Sequence, residues 1–262
     1  MTSPASSARP GEVIVRHCRG LQEFEACYQL QRRVWGESDI DVPIPVFVIA
    51  AETGGEVLGA FVGDDKDSAN IVGFTMAVAG WRPGCPFLHS HMTAVLDAYR
   101  DRGIGRKLKL FQRDDALSRG IDLVEWTFDP LEVKNAYFNL MRLGAIARRY
   151  LPNCYGITSS PLHGSLPTDR LVAEWWLRSP RVVDLLAGAR IAQATSSSKR
   201  EEILVPADLP RLKNDSPAEA IRAQTEIREQ FQKWFARGYA ATNVEVRQEG
   251  GAYVLEELQV AT

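Results

Sequence analysis

The chain has 262 residues, with 31 Lys and Arg against 33 Asp and Glu for a formal charge of −2, and it is 45 % apolar and 24 % charged. That is too apolar for a disordered chain and too evenly charged for a nucleic-acid binder working by bulk attraction. The length supports one large domain or two modest ones. The longest wholly apolar run, residues 46–51, falls far short of the roughly 20 residues a membrane span needs. The opening MTSPASSARP has no apolar segment of the secretory kind. Its Ser-rich, acid-poor composition faintly resembles a transit peptide; the expectation is a flexible tail over residues 1–11. Four cysteines show no C-x-x-C spacing, and the four His fall in no zinc pattern near them. The thiols read as buried or idle in a reducing, cytoplasmic compartment, with no metal expected.

Residues 12–18 alternate as a strand does. Residues 21–35 place Phe24, Ala26, Cys27, Leu30 and Val34 at helical spacing, and 36–45, with Pro43 and Pro45, read as loop. Three strand-like runs follow, 46–52, 57–63 and 71–79, separated by Thr53-Gly54-Gly55 and the polar residues 64–70. Such spacing predicts an antiparallel meander. Residues 87–96 read as a further strand, 100–105 as a basic turn, and 104–118 as a helix ended by Gly120. A strand over 121–128 leads to Asp129-Pro130-x-Glu132, an Asp N-cap with Pro in the first turn, opening a helix that Gly144 ends. Residues 145–151 form the next strand. The span 87–151 thus reads strand–loop–helix–strand–helix–strand, its first half a crossover between parallel neighbours. Beyond it, 171–177 (LVAEWWL) predict a buried strand with Trp175 and Trp176 in the core, and 181–187 a short helix. Residues 194–200 read as linker, 202–205 as strand, and 217–235 as an amphipathic helix with Ser216 as N-cap. Residues 244–247 and 252–255 read as a hairpin about Gly250-Gly251. The domains expected are 12–193 and a small α+β extension, 194–262.

The sharpest chemical signal is Tyr99-Arg100-Asp101-Arg102-Gly103-Ile104-Gly105-Arg106-Lys107, which leaves a strand and opens a helix. The first helical N–H groups have no partner within the helix, and its dipole is positive there. Gly103 and Gly105 allow the main chain to approach a bound anion, and Arg100, Arg102, Arg106, Lys107 and Lys109 supply counter-charge. A pyrophosphate suits such a turn. A Rossmann turn would need a third Gly where Leu108 stands, and a Walker A pattern is absent. The alternative is a basic helix start whose glycines serve packing.

Arg100-x-x-Gly103-x-Gly105, after a meander and a strand, resembles motif A of the GNAT N-acyltransferase superfamily. Downstream, Asn135-Ala136-Tyr137-Phe138-Asn139-Leu140-Met141-Arg142-Leu143-Gly144-Ala145 is similar to that family's second helix, with its early Asn and terminal Gly. The resemblance covers roughly residues 13–177. It implies a mixed, mostly antiparallel α+β sheet with splayed central strands and flanking helices. It also implies an acyl-CoA co-substrate, acetyl-CoA by default or succinyl-CoA. By the same resemblance the main chain of Thr93, Ala94 and Val95 pairs with pantetheine, which lies between the parted strands. The amides from Asp101 and Arg102 through Gly103, Ile104 and Gly105 to Arg106 and Lys107 hold the pyrophosphate. Asn135 and Phe138 line the pantetheine or adenine side.

Acyl transfer to an amine needs a group that accepts the ammonium proton, because an alkylammonium is mostly protonated at neutral pH. His89 falls where some family members hold a catalytic Glu, and it shares a strand face with His91 and Thr93. Glu125, on the next strand, falls where other members hold theirs. A structural role is the alternative for each. Many members place a Tyr, as general acid, where this chain has Leu140; Tyr137, Tyr150 or Tyr155 substitutes, or the thiolate leaves unaided. Arg148 and Arg149 read as a solvated face, with recognition of a substrate carboxylate as the alternative. The function expected is transfer of an acyl group to a small-molecule amine such as an amino acid, without nucleic acid or membrane partners. A CoA-binding sensor with reduced turnover is the second reading. The extension covers the acceptor cleft or forms a homodimer contact.

Overall fold

The computed structural model describes residues 12–36, 41–156, 166–189 and 199–258. The chain divides into two compact units, Met1–Val124 and Glu125–Thr262. The expected tail, the boundary at 193/194 and most of the expected linker lie outside the described residues.

In the first unit, β1 (Val13–His17), β2 (Glu56–Val62), β3 (Ile71–Arg82) and β4 (Cys85–Val95) pair in that order, all antiparallel. Two of the three runs expected to form a meander, β2 and β3, pair antiparallel as their short connection predicts, and β4 takes the third place that residues 46–52 were expected to fill. Helices α1 (Gly20–Trp35) and α2 (Ile44–Glu52) cover one sheet face, where Phe24, Cys27, Leu30, Phe47 and Ala50 meet Phe61, Phe74, Met76 and Ala94. Helix α3 (Ile104–Ser118) covers the other face and buries Ile104 and Leu108 against Leu58, Ala60 and Val72. Each large apolar side chain so buried contributes roughly 1.5–3 kcal/mol on leaving water. Gly120, at φ +74°, follows α3 as its pattern predicts.

Residues 46–52 belong to α2 and are not the strand expected of them. A short, wholly apolar run has no period, so periodicity cannot separate a buried strand from a buried helix. Here Pro45 sits in the first helical turn, where its missing N–H is harmless. The buried Gln31 of α1 holds the approach: its Nε2 donates to the Val42 carbonyl (2.9 Å) and its Oε1 accepts from Val42 N (3.2 Å). This pairing satisfies the backbone that a neighbouring strand would otherwise have to meet.

The second unit takes most of β5 (Leu123–Phe128), then α4 (Val133–Tyr137), which continues as a π-helical turn over Phe138–Arg142. There follow β6 (Ile146–Leu151), β7 (Arg170–Trp176), α5 (Pro180–Leu186), β8 (Arg200–Pro206), α6 (Leu209–Asp215), α7 (Pro217–Phe235), β9 (Tyr239–Arg247) and β10 (Gly250–Glu257). The strands run in the order β5-β7-β6-β9-β10-β8, so β8, β9 and β10 extend the sheet of β5 to β7. Helix α4 starts at Val133, later than its sequence signal. Asp129 does not cap it; its Oδ1 accepts from Leu131 N (2.8 Å) and closes a turn first. The last hairpin turns at Gln248-Glu249, and Gly250-Gly251 open β10 instead. A Cβ on Gly251 would stand 2.5 Å from a methyl of Val133, which explains that glycine.

Helix α7 is anchored by a buried carboxylate. Asp169 is fully buried and accepts from the Tyr150 hydroxyl (2.7 Å), Asn153 N (2.9 Å), and Nε and Nη2 of Arg228 (2.7 and 3.0 Å). Burial, then the Asp169 charge, pushes the Tyr150 phenol well above its ordinary range. Removing one partner of a buried pair strands the other in a dry site. Asp169→Ala is expected to lower the unfolding free energy by about 3 kcal/mol, read from urea denaturation.

Candidate functional site

The bend ahead of α3 has two left-handed residues, Asp101 (φ +59°) and Gly103 (φ +76°). Gly103 is the N-cap, and the first helical bond inside α3 is Lys107 N to Gly103 O (2.9 Å). The N–H groups of Ile104, Gly105 and Arg106 therefore precede any intrahelical acceptor. Left-handed turns before a helix aim successive N–H groups into one concavity. A Cβ at Gly103 or Gly105 would meet nothing within 4 Å, so the bend is open rather than filled by side chains. Arg100 is exposed; it pairs with Asp97 (2.9 Å), and its Nε reaches back to the Val95 carbonyl (3.4 Å). Arg102 lies over the Tyr99 ring, 5.3 Å from its centre. Lys107 is exposed and Arg106 half-exposed. The end of β4 packs closely on β3: a Cβ at Gly73 would lie 3.0 Å from the Ala94 carbonyl and 3.2 Å from a Val95 methyl.

Lys109 does not join this cationic rim. It is 4 % exposed, and its Nζ donates to Ser90 Oγ of β4 (2.7 Å) and Gln112 Oε1 (3.0 Å). Its position, two residues from Lys107, turns it toward the sheet. Gln112 donates in turn to the buried Glu56, whose other oxygen faces Arg119 (3.4 Å). Arg119 also pairs with Asp115 (2.8 Å), and Asp115 with His17 (2.9 Å). Lys109, Gln112, Asp115 and Arg119 follow one another at helical spacing, but their partners Glu56, Ser90 and His17 come from remote strands, which no local pattern signals.

Strand β4 carries a bulge. Met76 pairs with Met92 but Ala77 with Ser90, leaving His91 as the extra residue. The bulge inverts the alternation, so His89 and Thr93 do not share a face as strict alternation predicts. Thr93 bonds Thr75 (2.8 Å) on the face of Ser90 and Lys109, whereas His89 pairs with Val78, which packs on the core of α1 and α2. The rings of His89 and His91 are neighbours, 6.2 Å between centres.

In the second unit, Glu125 is buried on β5 and its Oε1 meets Nη2 of Arg149 at 2.7 Å. Arg149 also pairs with the buried Glu174 of β7 (3.2 Å), as does Arg148 (2.9 Å). A bulge at Arg148 turns both arginines to this face, so they are engaged by buried carboxylates rather than merely solvated. Two residues beyond Glu125, Thr127 Oγ1 contacts the Tyr155 hydroxyl (2.7 Å), and Arg170 lies 5.5 Å over the Tyr155 ring. Tyr155 thus shares a face with Glu125, while Tyr150 is committed to Asp169. Tyr137 and Asn135 are exposed on α4, Phe138 is half-buried, and Asn139 donates to Asn135 (3.4 Å). Leu140 is fully buried. Its carbonyl, with those of Gly144 and Thr242, accepts from the guanidinium of Arg181, a residue that no local motif singles out. Trp175 is core, its Nε1 donating to the Leu143 carbonyl (2.7 Å). Among the described residues no cluster of His, Cys, Asp or Glu is arranged for a metal, and no helix is long and apolar enough to cross a membrane.

No protein-family model and no curated protein sequence matches the chain. Solved structures share its fold. It aligns with a chain of the NatC complex bound to Gag peptide and CoA at a TM-score of 0.51 and 15 % identity, over 62 % of this chain and 97 % of that one. Arabidopsis thaliana NAA60 in complex with acetyl-CoA gives a TM-score of 0.51 at 14 % identity, over 63 % and 99 %. Over that part of its length the chain shares the mixed, mostly antiparallel α+β fold of these two structures.

The buried network carries a pH signature. Burial lowers Lys109 from 10.5 to about 7, with the Glu56 charge opposing. Burial raises Glu56 from 4.5 to about 7; Asp115 adds to the rise, and Gln112 and Arg119 oppose it. Between pH 7 and the unfolded Lys value the unfolded chain binds more protons, so this contribution to stability grows with pH. Between the unfolded Glu value and pH 7 the folded chain binds more, so stability falls as pH rises. Urea denaturation across this range is expected to show Lys109→Met flattening the rise above pH 7 and Glu56→Gln flattening the fall below it.

Proposed function

We propose that the chain is a CoA-dependent N-acyltransferase that moves an acyl group, acetyl by default and succinyl as the second donor, to the amine of a small molecule such as an amino acid. The observation that carries this reading is the open bend at Gly103–Gly105, with left-handed residues on the approach and unpaired helical N–H groups beyond. It stands on a fold shared with a protein solved in complex with acetyl-CoA. A diphosphate fits that cradle because backbone N–H groups, the helix dipole and nearby cations all favour an anion there.

In this reading the amides of residues 101–107 and the side chains of Arg100, Arg102, Arg106 and Lys107 hold the diphosphate. The main chain of Thr93, Ala94 and Val95 pairs with the pantetheine amides, and Asn135 and Phe138 make further CoA contacts. The acceptor amine loses its proton to His89 or to Glu125, directly or through water. Tyr155, with its hydroxyl on Thr127, is the tyrosine best placed beside Glu125 to return a proton to the leaving thiolate. The free cysteines fit a reducing, cytoplasmic compartment. A CoA-binding sensor with reduced turnover is the second reading, favoured by Leu140, a core residue at the position where the family often has Tyr.

Calorimetry with CoA tests the site, and no measurable binding at millimolar CoA would end this reading. Gly105→Glu is the selective probe. The new side chain has room, and an acidic residue in the first turn suits the helix, so the melting temperature is expected to hold. Its carboxylate would repel the diphosphate, and CoA affinity should fall about tenfold or more, since like charges 4 Å apart cost roughly 1–4 kcal/mol. Thiol release with a panel of amines separates enzyme from sensor. Of Glu125→Gln and His89→Gln, the substitution that removes the base should lower kcat about 100-fold with CoA affinity retained.

A further inference from the structure

We propose that Lys109 is a positioning residue that, through Ser90 and Thr75, fixes the bulged stretch of β4 leading to Thr93–Val95. The inference rests on the proposed CoA site, because those residues are the ones assigned to pantetheine.

Hydrogen-bond counting gives the relay a direction. The Thr75 hydroxyl donates its single proton to the Met92 carbonyl (2.9 Å), so its contacts with Ser90 (3.3 Å) and Thr93 (2.8 Å) must be donated to it. Ser90 has then spent its proton on Thr75, and its oxygen accepts from Lys109 Nζ (2.7 Å). The chain therefore runs Lys109 to Ser90 to Thr75 to the Met92 carbonyl, with Thr93 donating in from the side. Met92 pairs with Met76 directly after the bulge residue His91, so the Thr75 hydroxyl gives its carbonyl an added donor where the register shifts. Because Lys109 donates to Ser90, Ser90 turns its own proton to Thr75 and leaves the Thr75 proton for the Met92 carbonyl.

Burying a lysine is costly, and a core leucine or methionine would fill the same volume without the penalty. What the lysine adds is a tie between α3, which begins at the anion bend, and β4, which would present its main chain to the pantetheine arm. One side chain thus couples the two parts of the proposed CoA site within the first unit.

The test is amide hydrogen exchange on the ligand-free protein, with CoA affinity measured in parallel. Lys109→Met keeps the length of the side chain and removes the donors; Ser90→Ala removes the acceptor; Ser90→Thr keeps a hydroxyl. The expected result is about tenfold faster exchange over residues 90–95, and a similar rise in the CoA Kd, in both Lys109→Met and Ser90→Ala, the factor that matches one lost hydrogen bond. The double variant should be no worse than either single one, and Ser90→Thr should behave as wild type. Unchanged exchange in the folded variants, or effects that simply add, would overturn the proposal. Should Lys109→Met not fold, the Ser90 pair decides alone. Wild-type protein that binds no CoA would sink the proposed site; the exchange arm, which needs no ligand, still decides whether Lys109 holds β4.

Discussion

At the start of α3, backbone N–H groups point out of the helix with no carbonyl of their own to meet. Two left-handed residues, Asp101 and Gly103, shape the chain just before them, and no neighbour would obstruct a side chain at Gly103 or Gly105. An L-residue in the left-handed region is held there by its surroundings, and Asp101 is such a residue. In the proposed reading the concavity holds an anion through fixed dipoles rather than mobile side chains, so little is reorganised when the anion arrives. The exposed cations around it assist without defining it.

The rest of the first unit keeps that bend where it is. The meander gives α3 a sheet to lie on, and Ile104 and Leu108 press the beginning of the helix against Leu58, Ala60 and Val72. Gly73 lets the end of β4 lie close to β3, and five residues beyond Val95 the Arg100 side chain reaches back to the Val95 carbonyl. Beneath this apolar contact lies a polar one, in which Lys109, Gln112 and Glu56 occupy positions that hydrophobic residues could fill more cheaply. Polar groups in a dry interior restrict geometry more than apolar ones, because each must find its partner at a defined distance and angle.

The second unit shows the same trade in two places. Arg181 gives its guanidinium to the carbonyls that the π-helical turn and its neighbours leave over, and so fixes an irregular helix end with a half-buried side chain. Asp169 gathers Tyr150, Asn153 and Arg228 and ties α7 to the strands beneath it. On the face of β5 and β7, Glu125 and Glu174 share Arg149, so a carboxylate proposed to accept a proton is also part of an ionic cluster. The chemistry of that face depends on how Arg149 divides itself between them.

Much of the architecture was legible without coordinates. Helical spacing marked α1, α3 and α7, closely spaced apolar runs marked the antiparallel pair of β2 and β3, and glycines marked the ends of α3 and the π-helical turn, because each signal is local and physical. The cationic glycine bend was legible for the same reason: it needs only residues adjacent in the chain. Tertiary structure alone decided that residues 46–52 are helix, since an apolar run has no period to read. It alone decided that Lys109 turns inward to Ser90, that a bulge at His91 parts the faces of His89 and Thr93, and that Glu125 is bound to Arg149. Each of those depends on a partner brought from elsewhere in the chain, and a one-residue bulge, invisible in the spacing of side chains, reverses every face assignment beyond it.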